Sequence, residues 1–151
     1  MSKSIYILTW CSKAENFYGT TLIFKTLRVG FPNAEIHIID NSSLASVRSS
    51  LKQLAQECDA QFTQLEKSIN HHDFIEQIIN EQSEGTVIFV DPDLCFWENV
   101  ENWDFDALVA GRLIPPFRCK YTGCFTHPRL HTSFLWIPDV IALREEIKTL
   151  Q

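Results

Sequence analysis

The feature that most constrains this chain is an apolar run, Val87-Ile88-Phe89-Val90, that passes without transition into Asp91-Pro92-Asp93. A run with no polar alternation must be covered on both faces. That is the condition of a parallel strand between two layers of helices. In open α/β sheets ligands bind at the carboxyl ends of the strands. Two acids one residue apart at such an end are therefore candidates for chemistry.

The surrounding pattern agrees with an alternating α/β chain. Ser4–Trp10 (SIYILTW) reads as a first strand, and Phe17–Val29 as a helix stopped by Gly30. Ala34–Asp40 (AEIHIID) reads as a second strand. A helix then carries Leu44, Val47, Leu51 and Leu54 on one side, with Ser42 or Ser43 as its cap. A short strand is expected at about residues 60–66. Phe74, Ile75, Ile78 and Ile79 share one face of a third helix, where Asp73 and Glu76 resemble a capping box. After the Asp-Pro-Asp strand come strands at Ala107–Leu113 and Thr132–Ile137. Pro138 and Asp139 then open a last helix with Val140, Leu143, Ile147 and Leu150 on one side. The order implies a three-layer α/β/α sandwich on a mostly parallel sheet. The irregular stretch is Ile114–His131.

Bulk properties narrow the function. The 151 residues suit one domain spanning 1–151. A net charge of −6 speaks against nucleic-acid binding, which needs a basic face. No apolar run reaches the length of a membrane span. Five cysteines without framework spacing, and no export signal, point to free thiols and a cytoplasmic protein.

Several residue sets could carry chemistry. If strand geometry continues through the turn, Asp91 and Asp93 point the same way and repel unless a cation lies between them. Mn²⁺ or Mg²⁺ is the hard cation that such carboxylates take, with phosphate oxygens completing the shell. The plainer reading is a solvated turn, which Asp-Pro-Asp also makes. His71 and His72 start a helix, where an imidazole can donate to a phosphate; His71 can equally pack. Asp40 could bind a ribose hydroxyl or fold into a turn with Asn41 and Ser42. Arg48 could reach a phosphate or stay solvated. Trp10 and Trp97 could line a pocket or belong to the core. Cys119, Cys124, His127 and His131 are spaced C-x4-C-x2-H-x3-H, a donor set that could close one zinc site.

These pieces, in order, resemble a nucleotide-diphospho-sugar glycosyltransferase of the GT-A, Rossmann-like fold. The likeness rests on ILTWC, TLRVGFPNAEIHIIDNSS, NHHDFIEQII and VIFVDPD, over roughly residues 4–140. The resemblance implies that Thr9 and Trp10 face the nucleotide and that Asp40 contacts it. His71 matches a histidine-led helix found before the metal strand in some members. Asp91 would face ribose or metal, and Asp93 would bind the metal. RLHTSFLWI is similar to a segment that faces acceptor and metal, so Arg129 or His131 would meet the donor's phosphates. A haloacid-dehalogenase-type phosphatase also uses Asp-x-Asp, but after the first strand. A nucleotidyltransferase would show a glycine-rich loop, which TWCSKAENFYGT lacks.

The expectation is a metal-dependent glycosyltransferase with an unassigned acceptor and no assigned catalytic base. Family members usually run well past this length, so the domain is expected to lack the usual C-terminal part. The rival from another class is a non-catalytic binding module stabilised by zinc at the Cys119–His131 loop.

Overall fold

A computed structural model describes residues 2–13, 15–118, 120 and 123–150. Its elements are β1 (Lys3–Thr9), α1 (Asn16–Gly30), β2 (Glu35–Asp40), α2 (Ala45–Glu57), β3 (Gln61–Gln64), α3 (His71–Glu81), β4 (Thr86–Val90), β5 (Ala110–Ile114), β6 (Arg129–Ile137) and α4 (Val140–Thr149). The strands form one sheet in the order β3-β2-β1-β4-β6-β5. Strands β1 to β4 run parallel. Strand β6 enters antiparallel beside β4, and β5 pairs antiparallel with β6.

The apolar run at Val87–Val90 is covered on both faces, as its composition demands. All five residues of β4 are buried. Ile88 and Val90 join Ile5 and Ile7 against Ile23 and Leu27 of α1 and Leu51 of α2. Val87 and Phe89 turn the other way, onto Phe74 of α3 and Val140 at the start of α4. Each such side chain contributes about 1.5–3 kcal/mol when fully buried. The result is the expected three-layer α/β/α sandwich. No helix among the described residues is long and apolar enough to cross a membrane.

Several expectations about element ends need correction. Neither Ser42 nor Ser43 caps α2, which begins after Leu44 with no side-chain cap. Ser43 Oγ instead accepts from the Cys11 backbone N–H at 2.8 Å, tying the loop after β1 to the loop after β2. The Asp73–Glu76 box does not form; Asp73 Oδ2 accepts from the side chain of Asn70 at 3.1 Å. Strand β5 starts at Ala110, where pairing with Trp136 begins, and β6 starts early, at Arg129, because Ile114 pairs with it. Asp139 does cap α4, its Oδ1 accepting from Ile141 N at 2.9 Å and Ala142 N at 3.0 Å.

Gly30 does more than end α1. A Cβ built there would stand 2.5 Å from Phe96 Cγ. The bare backbone is what lets Phe96, from the segment after the Asp-Pro-Asp turn, pack against the helix end.

Candidate functional site

The carboxyl ends of β1, β2 and β4 meet the N-terminus of α3 around a cavity of about 420 Å³. Leu8, Trp10, Asn41, His71 and Asp91 line it, with Ser68, Ile69 and Asn70 from the loop before α3. A volume in this range suits a small-molecule site.

Asp91 is the electrostatic centre. Its position is set by the backbone: its N–H donates to Ser133 O at 2.8 Å, and its C=O accepts from Leu94 N at 3.3 Å. The side chain is only 27% exposed, with Oδ1 3.8 Å from His71 Nε2. Burial pushes its pKa up; His71 draws it down, the charge of Asp93 pushes it up again, and His131 draws it down. Asp91 is thus a carboxylate held against its preference, with a second acid beside it and two imidazoles within electrostatic reach.

His71 is held on its other side by Thr132, whose Oγ1 lies 3.4 Å from Nδ1. If the hydroxyl donates to Nδ1, the imidazole carries its proton on Nε2, toward Asp91. His131 is anchored differently, its Nδ1 accepting from Ser133 N at 3.0 Å. His72 points away into solvent and pairs with Asp73 at 2.8 Å.

The structure separates the candidates from the sequence. Trp10, His71 and Asp91 line the cavity; Asp93 is exposed on the turn beside it. Thr9 is wholly buried, its hydroxyl donating to Ile39 O at 3.3 Å. Asp40 is also wholly buried. Its Oδ1 accepts from Ser43 N at 3.1 Å, while Oδ2 has no hydrogen-bond partner and lies 3.7 Å from Arg48 Nε. Arg48 is held there by Ser43 O, at 2.9 Å. Neither tryptophan is core. Trp10 is 58% exposed, and Trp97, 82% exposed, lines a separate cavity of about 410 Å³ with Phe96, Trp103 and Phe134.

The cysteine-histidine quartet is described only in part, because Cys119 lies outside the described residues. Cys124 and His127 are exposed, and His131 lies close enough to Asp91 to act on its charge. Arg129 lays its guanidinium over Phe117, 5.6 Å from the ring centroid. Among the described residues no three His, Cys, Asp or Glu side chains gather as a metal site. What Asp91 and Asp93 offer a cation is an all-oxygen pair of carboxyl groups. Such a donor set fits a hard divalent ion that takes its remaining ligands from elsewhere.

Sequence reasoning missed the residues that hold this site in place. Asn41 clamps the loop before α3, donating from Nδ2 to Ile69 O at 2.9 Å and accepting at Oδ1 from Ile69 N at 2.7 Å. Its only signal was its place at the end of a parallel strand. Thr132, behind His71, lies 61 residues away in sequence and gave none.

No protein-family model matches the chain, and no curated protein does. Solved structures do match. A mannosyltransferase, PcManGT from Pyrobaculum calidifontis, in complex with GDP-Man and Mn²⁺, aligns at TM-score 0.63 and 11% identity, over 98% of this chain and 46% of that one. The apo-form glycosyltransferase GlyE of Streptococcus pneumoniae TIGR4 aligns at TM-score 0.56 and 14% identity, over 99% of this chain and 37% of that one. The chain therefore shares a fold with these glycosyltransferases and spans less than half the length of either.

Proposed function

We propose, from this glycosyltransferase fold and the strained carboxylate at its edge, that the chain binds a nucleotide-diphospho-sugar and transfers the sugar to an acceptor. The observation that carries the reading is Asp91: half-buried, raised in pKa, beside Asp93 and facing the cavity. Such perturbed groups cluster at functional sites.

Asp91 and Asp93 would hold Mn²⁺ or Mg²⁺, which supplies charge neutralisation for the departing diphosphate. The Mn²⁺ and GDP-Man bound by PcManGT support this choice of cofactor and donor. The chain's own groups do the rest. With Thr132 donating to its Nδ1, His71 would present an N–H at Nε2 beside the carboxylate, placed to donate to a phosphate oxygen. The first turn of α3 adds unpaired backbone N–H groups that favour an anion. Trp10 offers an exposed indole face for the base to stack on. Asn41 keeps residues 68–71 in register with the strand ends. Asp40 and Thr9 act from behind, the first shaping the turn after β2 and the second bracing β1 against it. A cavity of about 660 Å³ on the far side of His71, lined also by Thr132, Leu135 and Ile75, gives an acceptor room to approach.

The test is a thermal-shift panel of UDP, GDP, CDP and ADP, each with and without Mn²⁺. A nucleotide at a hundred times its Kd stabilises by about 2.7 kcal/mol. One base should raise the Tm only when metal is present, and Asp93→Asn should abolish the rise. No shift with any base, with or without metal, would sink the reading. Unfolding of the protein by chelator alone would favour the zinc-stabilised module instead.

A further inference from the structure

The charge of this protein is sorted along the chain. Between Ala107 and Pro138 the chain carries Arg112, Arg118, Lys120 and Arg129 and not one Asp or Glu; all nineteen carboxylates lie elsewhere. A chain of net charge −6 thus contains a long stretch whose charged side chains are all basic.

That element is the outer hairpin of the sheet. Strand β5 is the edge strand, and beyond it the two arms stay paired. Thr126 N donates to Phe117 O at 2.9 Å, and Arg118 bridges Phe125. Apolar side chains interleave the cations. Leu113 pairs across the strands with Leu130, and the two are 64% and 37% exposed. Phe125 is 77% exposed and Phe117 is 43% exposed, the latter beneath the Arg129 guanidinium. Water solvates exposed leucine and phenylalanine poorly, and apolar clusters rimmed by charge mark interaction surfaces.

We propose that the β5–β6 hairpin docks the protein onto an anionic bilayer, its cations among the phosphate headgroups and Leu113, Phe117 and Phe125 in the interfacial zone. Charge complementarity selects the surface, and the acidic remainder of the protein is repelled by it, so the hairpin points down. A soluble polyanion would use the cations but would leave Phe125 and Leu113 in water. A neutral bilayer would take the apolar side chains but would not explain the sorting of charge. The residues varied below, Arg112, Arg118, Lys120 and Phe125, have no part in the donor-site reading, so the two readings fail separately.

The experiment is co-sedimentation of the full chain with vesicles of phosphatidylcholine alone and of phosphatidylcholine mixed with phosphatidylglycerol. Binding is expected only to the mixed vesicles, and loss of it in about 1 M salt, where charges are screened beyond about 3 Å. Arg112→Gln, Arg118→Gln and Lys120→Gln together should weaken partitioning by well over tenfold, at roughly fivefold per cation. Phe125→Ser should weaken it without changing the salt dependence. Tm measured in solution verifies that each variant is folded. Sedimentation with neither vesicle, equal sedimentation with both, or equal binding by the triple variant overturns the proposal. Retention of inorganic polyphosphate without vesicle binding overturns it in favour of a soluble polyanion.

Discussion

His71 Nε2 stands 3.8 Å from Asp91 Oδ1, although one residue begins a helix and the other follows a strand on the far side of a loop. Packing of α3 on β4, through Phe74 against Phe89, brings them together. The imidazole lowers the pKa of Asp91, but burial raises it more. The carboxylate therefore costs stability when ionised and unliganded.

Asp91→Asn should raise the Tm of the protein alone at neutral pH. The sign follows from linkage. A carboxyl with a raised folded pKa contributes stability in full below its unfolded pKa, near 3.9, and loses it as pH rises through the folded value. The gain of the variant over wild type should thus shrink as pH falls toward 4. The same variant should lose metal-dependent nucleotide binding. A Tm that falls at neutral pH would show that Asp91 is stabilising as it stands.

Asn41→Ala removes both bonds that hold Ile69 and leaves a backbone N–H and C=O without partners. The expected loss is about 1–3 kcal/mol in urea unfolding. Nucleotide affinity should fall as well, because the loop at 68–70 lines the cavity. An unchanged midpoint would mean that water replaces the clamp at no cost.

Gly30→Ala drives a methyl group into the Phe96 ring. Overpacking of this kind costs about 1–3 kcal/mol. Phe96→Leu, destabilising alone, should recover part of the loss in the double variant, and a double-mutant cycle reads that coupling. Additive effects would place the strain elsewhere.

Asp139→Ala removes an N-cap that satisfies two helical N–H groups. About 1 kcal/mol should be lost, which in a domain of this size lowers the Tm by roughly 2–4 °C. Asp139→Ser or Asp139→Asn should restore most of it, since either can cap.

What could be read from the sequence is what local chemistry decides. Strand β4 announced itself by four apolar residues in a row, the end of α1 by Gly30 and the start of α4 by Asp139. Asp91 and His71 stand out as candidates because their positions, at a strand's end and a helix's start, carry meaning by themselves. The remainder depends on partners far along the chain. Ser43 bonds to Cys11 instead of capping the helix beside it. Thr9 lies at the right strand end, yet it is closed off by Ile39. Asn41 looked like a turn residue and is a clamp across 28 positions. The extent of β6 was hidden as well, because Arg129 and Leu130 become strand only by pairing with Ile114 and Leu113.

The reversed course of β6 has a consequence for how such a site can diverge. The parallel strands arrive at this edge with their last residues, whereas β6 arrives with its first, so His131 and Thr132 are delivered by the hairpin that precedes them. Lengthening or shortening that hairpin changes what hangs over the carboxylates while the sheet order and the register of β4 with β6 stay as they are. Lengthening a surface loop is cheap, about 0.6 kcal/mol for each doubling. Partner choice can therefore drift at the hairpin while the carboxylate edge stays under separate constraint.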